Sequence, residues 1–118
     1  MPVGRRHASG AASPQHAHII CGLPPTASVT NGIDQFEYST ETGSTSPSNN
    51  VPYSAYSVGT ISNSLEAIIQ GGTVPSGPPT ATSKKASLSF SDGTVSALPS
   101  QFTMGHPGDT GVTNSPFK

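Results

Sequence analysis

The chain has 118 residues, of which 9% are charged and 31% hydrophobic, with a formal net charge of −1; soluble domains usually carry about 25% charged and about 45–50% apolar residues. Ser, Thr, Gly and Pro fill 57 of the 118 positions. This composition argues against a helical bundle, a coiled coil, a membrane span and a highly charged nucleic-acid binder, and it leaves little from which to build a rigid enzyme site.

Leu, Ile, Val and Phe together number 21. Ordering the backbone costs roughly 1–2 kcal/mol per residue, and burying a large apolar side chain returns roughly 1.5–3 kcal/mol. That balance predicts a free chain at the margin of folding, completed by burial against partners. The single cysteine, Cys21, excludes an internal disulfide framework. No apolar run is long enough for a signal-peptide core or a membrane span. Residues 1–33 contain no acid, which is compatible with a transit peptide.

Residues 1–32 read as an extended N-terminal arm, interrupted by Pro2, Pro14, Pro24 and Pro25 and carrying Arg5, Arg6 and three of the four histidines. A strand is expected near 33–40, where Phe36 and Tyr38 share one face and Gln35 and Glu37 the other. Residues 41–52 form a polar loop, and a second strand is expected near 53–61. Asn63 is a fitting N-cap, with Glu66 three positions later, for one short helix over about 64–70. On that helix Leu65, Ile68 and Ile69 would share an apolar face, and Gly71-Gly72 would end it. Residues 33–70 thus form one unit of strands plus helix, and residues 71–85 are a Gly/Pro/Thr linker.

Residues 86–98 predict a β-hairpin. Asp92-Gly93 is a favoured pair for a two-residue type I′ turn, which would set Phe90 opposite Val95 and Leu88 opposite Ala97. Residues 99–118 read as an extended tail with Phe102, Met104 and Phe117 as anchors. No internal repeat of fixed period is visible in the sequence.

Four motifs invite a chemical reading. His16, His18 and Cys21 form an H-x-H-x₂-C pattern, with His106 as a remote fourth ligand, yet the spacing fits no standard zinc module. Incidental histidines on an extended arm are the simpler reading. Asp109-Thr110-Gly111 is the triplet of aspartic proteases, but His106-Pro107-Gly108 ahead of it reads as turn chemistry. Arg5-Arg6 and Lys84-Lys85 are too short to make basic arms, and Pro75-x-x-Pro78 belongs to the linker. No catalytic residue, metal or cofactor is expected, and neither a membrane nor a nucleic acid is the expected partner.

The fold class expected from sequence is mostly irregular and extended with minor β structure. The role expected is that of a structural or assembly subunit ordered by neighbouring subunits, such as a minor capsid, cement or appendage component, in a virion or extracellular assembly. Leu65, Ile68, Ile69, Leu88, Phe90, Val95, Phe36 and Tyr38 are the residues expected to dock on partners. The alternative is a small self-contained β-rich protein-binding module.

Overall fold

A computed structural model describes residues 4–25, 29–45, 50–74 and 80–99. Their architecture is all-β and without a helix, which overturns the expected irregular chain. The strands are β1 (Ser9–Ala12), β2 (His16–Ile20), β3 (Ile33–Glu37), β4 (Thr42–Thr45), β5 (Gly59–Ser62), β6 (Glu66–Gln70), β7 (Thr73–Val74), β8 (Thr80–Ala81), β9 (Lys85–Ser89) and β10 (Val95–Ala97). They form two four-stranded antiparallel sheets, ordered β1-β2-β3-β4 and β10-β9-β6-β5, and the small ribbon β7-β8.

The residues expected to form an arm contain β1 and β2. Pro14 does not obstruct them because it lies in their connecting turn, where Ser13 N donates to His16 O at 2.8 Å. The Ser13 hydroxyl also accepts from His16 N at 2.9 Å. Small residues, Ser-Gly-Ala-Ala in β1, suffice for a strand because β2 supplies the ladder partners.

The expected helix is a strand. Asn63 caps, but it caps a hairpin turn: its Oδ1 accepts from Leu65 N and Glu66 N at 2.7 and 2.9 Å, while Asn63 N donates to Glu66 O. An Asn side chain satisfies the two amides that follow it equally well at a helix start or in an Asx turn. What decides between them is the cross-strand pairing of β6 with both β5 and β9. Ile68 and Ile69 therefore point to opposite faces, and Leu65 sits in the turn at 73% exposure.

The strand expected over 53–61 begins only at Gly59. The preceding segment is irregular, yet Val51, Tyr53, Ala55 and Val58 all enter the core. The expected strand near 33–40 exists as β3, but its apolar face is reversed. Ile33 is buried, whereas Phe36 and Tyr38 are 40% and 44% exposed. The hairpin over 86–98 also exists, shifted by two residues: Leu88 pairs with Val95 and Ala86 with Ala97. Gly93 takes a left-handed φ of 72°. The Asp92 carboxylate instead accepts from Thr94 N at 3.0 Å, and the loop closes through Ser89 N to Thr94 O. A shift of two leaves every side chain on its expected face. The expected tail, 99–118, lies outside the described residues beyond Pro99, as do linker residues 75–79.

The two large sheets are the same unit built twice. β1 and β2 recur fifty residues later as β5 and β6, with Ser9↔Ile20 matched by Gly59↔Gln70. β3 and β4 recur as β9 and β10 at an offset of 52, with Phe36↔Gly43 matched by Leu88↔Val95. The isolated bridge Arg6↔Leu23 is matched by Tyr56↔Thr73. Left-handed φ values fall at matched sites: His7 and Ser57, Cys21 and Gly71, Gly22 and Gly72, Glu41 and Gly93. Thr30 and Thr82 each accept, through the side chain, from the amide two residues on. Only Ala17/Ala67, Ile19/Ile69 and Gly22/Gly72 are identical between residues 4–24 and 54–74, which is why the repeat escapes a sequence reading.

Both sheets bury side chains in one core, including Ala11, Ile20 and Ile33 from the first and Ala67, Ile69, Ala86 and Leu88 from the second. All of these but Ala11 are at most 2% exposed, and each of the large ones, Ile20, Ile33, Ile69 and Leu88, contributes about 1.5–3 kcal/mol by its burial. The chain therefore has more internal core than its composition implied.

Candidate functional site

Each sheet has two faces, and the two halves use opposite ones. In the first sheet, Ala11, His18, Ile20 and Ile33 turn inward. In the second, the inward residues Ala67, Ile69, Ala86 and Leu88 match Ala17, Ile19, Asp34 and Phe36 of the first. The His18 face of the first sheet thus packs on the Leu88 face of the second. The His18 and Phe90 rings stack across this junction, 5.2 Å apart and 16° from parallel. At its other side Ser9 and Thr60 hydroxyls meet at 3.0 Å, and Thr60 donates to Gly10 O.

Among the described residues, this arrangement leaves the Phe36 end of the first sheet's other face open. That end carries the exposed residues Gly10, Ala12, Phe36 and Gly43, with Ala17 and Ile19 half-buried, while Asp34 at the other end of the same face is covered by Arg5. Tyr38 continues it, its ring 6.4 Å from that of Phe36 in an edge contact. The opposite end is the Ile68 face of the second sheet, where Ile61, Ile68, Ser87 and Ser96 lie in one cross-strand row. Beside the junction is a cleft of about 560 Å³, lined by Pro14, Gln15, Leu65, Glu66, Phe90 and Ser91 among others.

The eight residues expected to dock on partners therefore divide. Ile69 and Leu88 are core, and Phe90 and Val95 pack against it. Phe36, Tyr38 and Leu65 are exposed, and Ile68 is half-buried on the open face of the second sheet.

The candidate ligands do not gather. His16 and His18 share a face of β2 with rings 6.0 Å apart, but among the described residues no group of three His, Cys, Asp or Glu side chains is placed to hold a metal ion. His18 is 4% exposed, and burial, aided by neighbouring His16, lowers its pKa. Cys21 is fully buried, and desolvation pushes its thiol up to about 12. It is a protonated packing residue, without thiolate character at neutral pH. His106, Asp109 and the Pro75–Pro78 motif lie outside the described residues.

Arg5 and Arg6 have unlike environments. The Arg5 Nη2 lies 2.7 Å from Asp34 Oδ1, with both side chains at or below 5% exposure. Its Nη1 donates to Cys21 O and Gly32 O at 3.1 and 3.0 Å. Arg5 is thus a structural clamp, a role the sequence did not disclose because its partners are 16 to 29 residues away. Arg6 is exposed. No helix among the described residues is long and apolar enough to cross a membrane. No protein-family model matches the chain, and no curated protein matches its sequence.

Proposed function

We propose that this protein is a structural module that works by protein–protein contact, folding around its own core and presenting open sheet faces to an assembly. The observation that carries this reading is the placement of Phe36 and Tyr38, two exposed aromatic side chains adjacent on the outer face of the first sheet. Aromatic groups on such a surface contribute strongly to association because they bury large area at low entropic cost. The Ser/Thr/Gly/Pro-rich, weakly charged composition fits a capsid, cement or appendage component better than an enzyme. The wrapped, extended version of that role gives way to a compact subunit with its own fold.

Hydroxyl-radical footprinting read by mass spectrometry tests it. Phe36 and Tyr38 are labelled readily in the isolated chain and protected in the assembly recovered from the source cells. Equal labelling in both states contradicts the proposal.

A further inference from the structure

We propose that copies of this chain stack head to tail, with the Phe36 face of one copy seated on the Ile68 face of the next. The inference rests on the assembly role above and specifies its partner as a second copy.

The internal repeat is what points to a second copy. Within one chain the two halves meet heterologously: one half contributes its His18-type face and the other its Phe36-type face. A contact of that kind leaves one unused face of each type, at opposite ends of the molecule, and repeats without closing unless a rotation closes it. The unused pair corresponds, strand for strand, to the pair already packed. The row Ala12, Ala17, Phe36, Gly43 matches the inward row Ser62, Ala67, Leu88, Val95, of which Val95 is partly buried. The row Ile61, Ile68, Ser87, Ser96 matches Ala11, His18, Gln35, Ser44 by the same register.

The matched side chains have suitable chemistry. Phe36 stands where the second half has Leu88, a core residue 2% exposed, and Tyr38 stands where it has Phe90. Ile68 stands where the first half has His18, and Ile61 where it has Ala11. Tyr38 of one copy would therefore rest on Ile68 of the next as Phe90 rests on His18. The Phe36 row and the Ile68 row carry no charge, and the charge beside them on the Phe36 face, Asp34, is neutralised by Arg5. Glu66 and Lys85 lie at opposite ends of the Ile68 face, leaving its middle apolar and hydroxylated. A charged residue placed in the middle of either row would be desolvated without a partner.

Sedimentation velocity on the full chain over a concentration series tests the proposal with two variants, Tyr38→Lys and Ile68→Lys. The wild type forms a ladder of species beyond the dimer. Each variant alone is held to the monomer, with association weakened about tenfold or more. An equimolar mixture of the two recovers a dimer and nothing larger, because each retains the face the other lacks. Far-UV circular dichroism on both variants establishes that they are folded. As a second route, chains carrying Tyr38→Cys and chains carrying Ile68→Cys, mixed under mild oxidation, give the mixed disulfide in excess over either homodimer.

A ladder unaffected by either substitution overturns the proposal, as does a mixture that stays monomeric or a mixed disulfide no commoner than chance. A wild type that is monomeric at every concentration also overturns it. That last result leaves the broader reading intact if footprinting still finds Phe36 and Tyr38 covered in the native assembly, and both fail together only if it does not.

Discussion

The Arg5 guanidinium and the Asp34 carboxylate meet at 2.7 Å within the protein, and the matched positions in the second half, Ala55 and Ala86, are both fully buried alanines. One site in the repeated unit is thus filled in two ways. In the first half it holds an ion pair tied to the Cys21 and Gly32 carbonyls. In the second it is closed by two methyl groups.

The ion pair is conditional on both its members. Asp34→Ala leaves Arg5 as a buried charge and is expected to cost about 3–5 kcal/mol. Arg5→Ala combined with Asp34→Ala removes both charges and reproduces the pairing of the second half. Its cost is expected to be well below the sum of the single changes, the remainder coming from lost packing. Urea denaturation of the four proteins in the cycle measures this. Additive losses would show that the two charges act independently.

Gly72 has φ of 99°, and a β-carbon there would lie 2.8 Å from Val58 Cγ1 and 3.0 Å from Tyr56 O. Gly72→Ala therefore forces a buried backbone contact apart and is expected to cost at least about 1–3 kcal/mol from conformation alone. The matched Gly22 faces Ala8 Cβ at 3.0 Å and Arg6 O at 3.1 Å, so Gly22→Ala is expected to be harmful in the same way. Thermal melts of both variants check the equivalence. A neutral result at either site would break the correspondence between the halves.

His18 makes stability depend on pH. Its folded pKa lies below the ordinary 6.5 because burial disfavours the charged ring. Below that value the unfolded chain binds the proton first, so stability falls as pH drops through 6.5 and stops falling once the folded form also protonates. Among the described residues the Nδ1 atom is buried without a hydrogen-bond partner, and the ring stacks on Phe90. His18→Phe is expected to raise stability at neutral pH by about 1 kcal/mol, by removing a buried unpaired nitrogen. It should also flatten the acid side of the profile relative to wild type. Chemical denaturation at several pH values reads both effects, and a profile unchanged by the substitution would contradict them.

Cys21 should be silent toward thiol reagents while the protein is folded. Its thiol is fully buried and its pKa is raised to about 12, so both access and thiolate are lacking. Iodoacetamide labelling followed by mass spectrometry is expected to modify Cys21 only on addition of denaturant. Rapid labelling in buffer would show that the first sheet opens at this corner.

Local chemistry was legible in the sequence where it acts over a few residues. The capping ability of Asn63, the strand at Ile33–Glu37 and the hairpin around Asp92-Gly93 are all present. What local signals could not supply was tertiary pairing. Asn63 offers its oxygen to Leu65 and Glu66 in a helix or a turn alike, and the pairing of β6 with β5 and with β9, the latter some twenty residues on, settles which. Phe36 and Tyr38 share the apolar side of the strand expected from sequence, yet that side is not the inward one. The buried side is set instead by Ile20 and Ile33, and by a second sheet whose likeness to the first survives in register while almost vanishing in residue identity. Arg5 looked like a loose terminal charge because Asp34 is distant in sequence. Which face of the first sheet is the outer one likewise depends on pairings distant in sequence, beyond the reach of local signals.

The direction in which the two halves stack underlies both the proposed role and the proposed assembly. A nuclear Overhauser spectrum of the folded chain measures it directly. Cross-peaks between the rings of His18 and Phe90, together with contacts from Ile20 and Ile33 to Ile69 and Leu88, are the predicted result. Cross-peaks from the His18 ring to Ile68 instead would place like faces together and contradict the account.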